Sequence, residues 1–295
     1  MRIGIVILNY LNWQDTLECI ESLRKQSSQE FEAVVVDNGS NNESVEKISD
    51  WISDDKNIHL IGSEKNLGFA NGNNLGINFL KTKYFIHRIL LVNNDVIFDQ
   101  VDYVEKLSKL TYPSHVGAIG TQIIGSDGIN QNPAYFPTSL QSTVKSLVIN
   151  CLAFSKIFTF LKRRFFQSIA DKANDFSGRG TSNGDYSLHG SVIFLTENYL
   201  NLMDGLFGGT FLYYEEVILS ITFKKAGLTM LYYPEISIYH KEDQSSLQSF
   251  QNNDLVRRRF LVKSIISSLR VHFANKKTIG KVINLSISSE VRNAN

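Results

Sequence analysis

The chain has 295 residues, 43% of them hydrophobic, with 30 basic and 29 acidic side chains and a formal net charge of +1. That content supports one large core with a tail rather than two independent domains. Cys19 and Cys151 are too few for a disulfide framework or a zinc site and point to free thiols in a reducing compartment. No apolar stretch approaches the roughly 20 residues needed to span a bilayer, and the opening run Ile3 to Leu8 reads as a core strand, not a signal peptide.

From Arg2 the sequence Arg-Ile-Gly-Ile-Val-Ile-Leu-Asn-Tyr hardly alternates, as expected for a strand buried on both faces of a parallel sheet. It closes on Asn9 and Tyr10. Asn12 can cap a helix carrying Leu17, Ile20 and Leu23 on one side. Phe31 to Val36 predicts a second buried strand, ending in Asp37-Asn38-Gly39-Ser40, a turn that can also start a helix. Val45, Ile48 and Ile52 share a helical face, Ile58 to Ile61 predicts a third strand, and Phe69 to Leu80 a helix. The fourth strand, Arg88 to Val92, runs into Asn93-Asn94-Asp95. Strand and helix thus alternate as in right-handed crossover units of an open parallel sheet, where ligands bind at the carboxyl ends of the strands. Asn9, Tyr10, Asp37 and Asp95 all fall there.

A carboxylate lifted off the end of a buried strand is well placed to hold a divalent cation against a diphosphate; the alternative for Asn93-Asn94-Asp95 is a turn that closes the strand. The first strand lacks a Gly-x-Gly-x-x-Gly loop, which argues against a nicotinamide-dependent enzyme. Further on, His189-Gly190-Ser191 opens a strand Ser191 to Leu195. Glu215-Glu216 precedes Val217, Leu219, Ile221 and Phe223, and His240 follows a strand Met230 to Tyr239. Two acids there suit a helix N-terminus, and one of them can serve as a general base.

Four segments occur in order: Val-Val-Val-Asp-Asn-Gly-Ser at 34–40; Asn66-Leu67-Gly68-Phe69-Ala70-Asn71-Gly72-Asn73-Asn74; Asn93-Asn94-Asp95; and Phe211-Leu212-Tyr213-Tyr214-Glu215-Glu216-Val217, the last followed by Lys224-Lys225-Ala226-Gly227 and Tyr239-His240. Together, over roughly residues 2 to 246, they resemble family 2 glycosyltransferases with the GT-A fold, and most of all the bacterial rhamnosyltransferase-like branch that builds O-antigen and capsule chains. The resemblance implies an α/β GT-A domain over 1–250, with a nucleotide-binding half at 1–100 and an acceptor-binding half at 101–250, then a basic amphipathic helical tail at 251–295.

It also implies an inverting transfer from a nucleoside-diphosphate sugar of the uridine or thymidine type to a hydroxyl of a glycan or lipid-linked acceptor. Asp37 would accept the base imide N3–H, which cytosine lacks, or else cap a helix. Tyr10 would line the base pocket with Asn9, and Asn66, Gly68 and Asn73 would contact the donor, glycines at 68 and 72 leaving room for a sugar or phosphate. Asn93 and Asn94 would flank the diphosphate. Asp95, with His240, would hold manganese or magnesium, and His189 would face the acceptor. Glu216 would be the base and Glu215 its substitute. The chain departs from the family at three places: only Asp95 is charged in its cluster, glutamate stands at 216 where aspartate is usual, and Ile218 replaces a further aspartate.

Gln141 to Ala170 and Leu255 to Ser289 contain no acidic residue, and both mix lysine and arginine with apolar side chains. Such segments can lie in an anionic membrane interface or pack as ordinary helices. On the membrane reading, and with no signal peptide, the expectation is a cytoplasmic enzyme at the inner face of the membrane. No nucleic-acid motif accompanies the charge. A sugar nucleotidyltransferase would need a glycine-rich basic loop after the first strand, which Asn9 to Trp13 is not. A catalytically silent sugar-nucleotide or glycan-binding module of the same fold remains as the rival reading.

Overall fold

The computed structural model describes residues 2–152, 186–242 and 254–294. Its first half alternates β1 (Ile3–Asn9), α1 (Trp13–Arg24), β2 (Phe31–Asp37), α2 (Ser44–Trp51), β3 (Ile58–Gly62), α3 (Gly68–Tyr84) and β4 (Ile89–Asn93). Then come β5 (Val96–Ile97), α4 (Tyr103–Lys109), β6 (Val116–Ile124), α5 (Leu140–Leu152), β7 (Val192–Leu195), α6 (Glu197–Leu200), α7 (Glu215–Ala226) and β8 (Thr229–His240). Three helices follow, α8 (Asp254–His272), α9 (Ile279–Ser286) and α10 (Ser289–Asn293). The eight strands form one sheet in the order β3-β2-β1-β4-β7-β6-β8-β5.

Alternating residues of the unbroken apolar strands feed two cores, one on each face. Ile5, Ile7, Val35 and Leu90 meet Ile20, Leu23, Ile48 and Tyr103 on one side. Val6, Val34 and Leu91 meet Ile77, Leu80, Ile221 and Phe223 on the other. Gly72 lets α3 lie close to β1, since a Cβ there would stand 2.7 Å from Leu8 Cδ1. The expected capping of α1 is present, Asn12 Oδ1 accepting from Asp15 N at 3.4 Å.

One expectation of the fold needs correction. The Asp37–Ser40 turn does not start a helix: α2 begins at Ser44, whose N–H donates to Asn42 Oδ1 at 3.1 Å. As expected, the sheet is mostly parallel: β3, β2, β1 and β4 run parallel, while β7 runs antiparallel to both of its neighbours. It lies beside β6, a strand whose Gly117 and Gly120 obscure its apolar pattern. β6 in turn pairs parallel with β8.

The C-terminal helices are packed. α8 lies on α5 and α7, burying Ile265, Ser268 and Val271, while α10 reaches α3. Asn71 Oδ1 accepts from Ser288 N at 3.1 Å, and Asn78 Nδ2 donates to Val291 O at 3.2 Å. Of the acid-free stretch at 141–170, only the part up to Leu152 lies within the described residues.

Candidate active site

Polar side chains at the carboxyl ends of β1, β2 and β4 form one buried network. Asn9 Nδ2 donates to Asp37 Oδ2 at 2.7 Å, Thr16 Oγ1 donates to Asn9 Oδ1 at 2.8 Å, and Asn94 Nδ2 donates to Asn12 O at 2.7 Å and Thr16 Oγ1 at 3.2 Å. The other Asp37 oxygen accepts Ser40 N at 2.9 Å, and Ser40 Oγ accepts Leu11 N at 2.8 Å. Asp37 is therefore a clasp between two loops, not a helix cap. A carboxylate has about four acceptor sites, so one further donor can be met on either oxygen. Tyr10, next in the chain to Asn9, is half-buried.

Asn94 was expected to face a donor, but its amide nitrogen is spent on the β1–α1 loop, which ties that loop to the end of β4. Asn93 is half-exposed, its N–H donating to Ser191 O at 2.9 Å. At the start of α3, Asn66 Oδ1 accepts from Gly68 N at 2.8 Å and Asn38 Nδ2 at 3.1 Å. The room expected for a ligand at Gly68 is occupied by the protein: the residue sits at φ +80°, and a Cβ would collide with the Phe211 carbonyl. Phe69 N donates to that carbonyl at 2.9 Å. Gly72 is likewise filled by Leu8 and Asn38. Asn73 is buried, with Nδ2 on Phe69 O at 3.0 Å and Oδ1 unpartnered.

Beyond β4, Asp95 is buried and its Oδ1 has no hydrogen bond. His240 Nε2 lies 3.3 Å from that atom, outside hydrogen-bond alignment, while His240 Nδ1 is held by Gln131 Oε1 at 2.9 Å. The adjacent Lys241 N donates to Asp95 O at 2.9 Å. An orphaned carboxylate oxygen beside an oriented imidazole suits one divalent cation, with the second ring nitrogen fixed as metal-binding histidines require. Among the described residues no group of three or more His, Cys, Asp or Glu side chains is arranged to hold a metal. A cation held by this pair alone would need further oxygen ligands to complete its coordination.

The His189 ring stands edge-on to His240 at 5.7 Å, with Nδ1 at 2.8 Å from Ser191 Oγ. Burial, and then the neighbouring His240, lower its pKa to about 4, so it is neutral at physiological pH. Next to it, Gly190 carries the Glu216 carboxyl against its backbone; a Cβ there would lie 2.7 Å from Glu216 Oε1. Because Ser191 bonds to Asn93, this contact brings the β4 end and the acidic pair to one place.

Glu215 and Glu216 open α7, directly after Tyr213 and Tyr214, both left-handed at φ 71° and 77°. Glu215 keeps some exposed surface, but its Oε1 is buried and unpartnered above a small cavity lined by Phe69, Ala70, Leu206, Phe207 and Ile218. Burial, and then the charge of Glu216, raise its pKa to about 8. Burial also raises the Glu216 pKa above the usual carboxylate value. Ile218 faces this apolar cavity, which explains how an aliphatic residue is accommodated in the acidic segment.

Several residues of the site were not legible in the sequence. Thr16 is an ordinary polar residue until the loops fold together. Gln131 falls in a segment without motif. The two left-handed tyrosines carry no local signature, since glycine or asparagine is the usual marker of that conformation.

This strand order, with polar strand ends on one side and an acidic pair opening a helix opposite, defines the GT-A glycosyltransferase fold. The chain superposes on the mannosyltransferase PcManGT of Pyrobaculum calidifontis, solved with GDP-Man and Mn2+, with a TM-score of 0.55 at 11% identity over 95% of this chain and 67% of that one. It also superposes on S. aureus TarS, with a TM-score of 0.52 at 15% identity over 100% of this chain and 77% of that one. The chain belongs to glycosyl transferase family 2, whose profile matches residues 4–170, and it is a glycosyltransferase. It is 24% identical to the low-salt glycan biosynthesis hexosyltransferase Agl10 of Haloferax volcanii, over 95% of this chain and 81% of that one. Glycosyltransferase GlyG of Streptococcus pneumoniae is 23% identical over 66% of this chain and 68% of its own length.

Proposed function

We propose that the protein is an inverting hexosyltransferase that moves a sugar from a uridine- or thymidine-diphosphate donor to a hydroxyl of a glycan or lipid-linked glycan in cell-surface polysaccharide synthesis. The motif pattern favours the rhamnosyltransferase-like branch that makes O-antigen and capsule chains. The observation that carries the reading is the meeting of two carboxyl groups of different character. Asp95 presents an unpartnered oxygen beside His240, and Glu216 rests on Gly190, one residue from Ser191, whose carbonyl accepts from Asn93 N.

The nucleotide would lie over the ends of β1 and β2. There Asp37 accepts the imide proton, Tyr10 and Asn9 shape the base pocket, and Asn66, Asn73 and Asn93 lie along the donor. Asp95 and His240 would hold Mn2+ or Mg2+, as Mn2+ accompanies GDP-Man in the mannosyltransferase structure. Such a cation supplies charge stabilisation to the departing diphosphate. Glu216 takes the proton from the acceptor hydroxyl, which attacks the anomeric carbon from the face opposite the diphosphate; its raised pKa strengthens it as a base. Glu215, its pKa raised to about 8, is protonated at neutral pH, and His189, neutral, lines the acceptor side.

No helix among the described residues is long and apolar enough to cross a membrane. Leu140, Val144, Val148 and Leu152 recur every four residues on α5 and are each between 40% and 50% exposed. With Lys145 beside them and no acid on the helix, this stripe supports contact with an anionic membrane surface, at the cytoplasmic face where lipid-linked acceptors would be met.

The test is release of nucleoside diphosphate from a panel of uridine-, thymidine- and guanosine-diphosphate sugars with Mn2+ or Mg2+, comparing the intact protein with Asp95→Ala and Glu216→Gln. Cation-dependent release from one donor, abolished by Asp95→Ala, names that donor. Saturable binding without release, even with lipid-linked acceptors present, would refute the proposed reaction.

A further inference from the structure

We propose that helix α8 is a working part of the active site: Phe260 and Ser264 are positioning residues that clamp the Phe211–Tyr214 turn and thereby aim Glu216. This rests on the reading of Glu216 as the base.

Tyr213 and Tyr214 are consecutive non-glycine residues in the left-handed region, at φ 71° and 77°. L side chains rarely adopt that conformation, and it persists only where the surroundings over-determine it. Here the surroundings come from three elements. From α8, the Phe260 ring stacks on Phe211 with centroids 4.9 Å apart and planes at 23°, and Ser264 Oγ donates to Leu212 O at 3.0 Å. The Arg257 guanidinium lies 5.8 Å from the centre of the Tyr213 ring. From α5, Thr143 Oγ1 joins Tyr214 Oη at 3.1 Å to His272 Nε2 at 2.8 Å, the latter again on α8. From α3, Phe69 N holds Phe211 O at 2.9 Å, and Gly68 makes room for that carbonyl.

Every residue of the turn is therefore gripped from outside it, and the turn ends where Glu215 begins. The buried face of α7, with Ile218, Ile221 and Phe223, belongs to the same core cluster as Leu91 and Ile193 of the sheet. Loosening the clamp should leave α7 in place and release only its first turn. Since Phe211 also touches the loop proposed to contact the donor, the clamp links the donor end to the base.

The experiment compares Phe260→Ala, Phe260→Tyr, Ser264→Ala, Tyr213→Gly and Glu216→Gln in the full chain. The readouts are Tm, nucleoside-diphosphate binding, and kcat across pH for release from the panel sugars. Phe260→Ala should lower kcat at least about tenfold (a barrier change near 1.4 kcal/mol) while diphosphate binding stays within about twofold. The acid limb of its pH profile should move to lower pH as water reaches Glu216. Phe260→Tyr keeps the stack and should restore activity. Tyr213→Gly should keep its Tm, because glycine accepts the backbone conformation, yet lose activity. Unchanged kcat and pH limb in Phe260→Ala, with Glu216→Gln inactive, would overturn the clamp alone. Full turnover by Glu216→Gln would overturn the base assignment and this inference with it.

Discussion

At the ends of β1, β2 and β4 the polar groups satisfy one another: Asn9, Asp37, Thr16 and Asn94 lie in one chain of hydrogen bonds, anchored on a parallel sheet with apolar residues on both faces. At the start of α7 the reverse holds, with two left-handed tyrosines, an unpartnered Glu215 oxygen and two carboxyls whose pKa values are raised by burial. A nucleotide-binding surface gains from being rigid and already hydrogen-bonded, because little order remains to be imposed on binding. A base gains from being poorly solvated, because its affinity for a proton rises. The first region should therefore respond to mutation through stability, the second through chemistry.

The sharpest test is Glu216→Gln, expected to lower kcat by about 10²- to 10⁴-fold while Tm holds or rises, read by steady-state kinetics and thermal melts. A fall in Tm with kcat little changed would erase the contrast. Next comes pH. Glu215 loses its proton near 4.5 when unfolded and near 8 when folded, so between these values the folded state binds more protons. Stability should fall as pH rises through that window, by at most about 1.4 kcal/mol per pH unit. Urea melts at several pH values would show the slope, and Glu215→Gln should flatten it. On the other side, Gly68→Ala must adopt φ near +80° against the Phe211 carbonyl and should cost about 1–3 kcal/mol of stability. A neutral result would mean that the α3 entry is far softer than its contacts imply.

The contrast also explains what the sequence reveals. Strands buried on both faces leave unbroken apolar runs, so β1 to β4 and the polar residues ending them can be read within a residue or two. In the other half β7 and β8 are also read within a residue, from Ser191 to Leu195 and from Met230 to Tyr239, but β5 and β6 hide their pattern. β6 carries two glycines, β5 is two residues long, and Gln131, the partner of His240, has no motif around it. Asp95, Glu215 and Glu216 stand out by residue type. What distinguishes them physically, an unpartnered oxygen at 95 and 215 and a strained turn before α7, is created by packing between segments far apart in the chain. The basic C-terminal stretch shows the same limit: its composition fits a membrane surface as well as internal packing, and only the fold shows α8 lying on α5 and α7.

The smallest effect expected separates two adjacent asparagines. Asn94 is buried, and its Nδ2 bridges Asn12 O and Thr16 Oγ1; removing it deletes bonds and leaves a buried carbonyl short of a donor. Asn94→Ala should therefore destabilise the protein by about 1 kcal/mol, a typical net value for a hydrogen bond. Asn93 is half-exposed at the strand end, and its backbone bond to Ser191 does not depend on the side chain. Asn93→Ala should leave Tm unchanged and weaken nucleoside-diphosphate binding, as calorimetric titration would show. If instead both variants lose stability and neither loses affinity, the diphosphate does not lie over the end of β4, and the donor path from Asp37 to Asp95 must be redrawn.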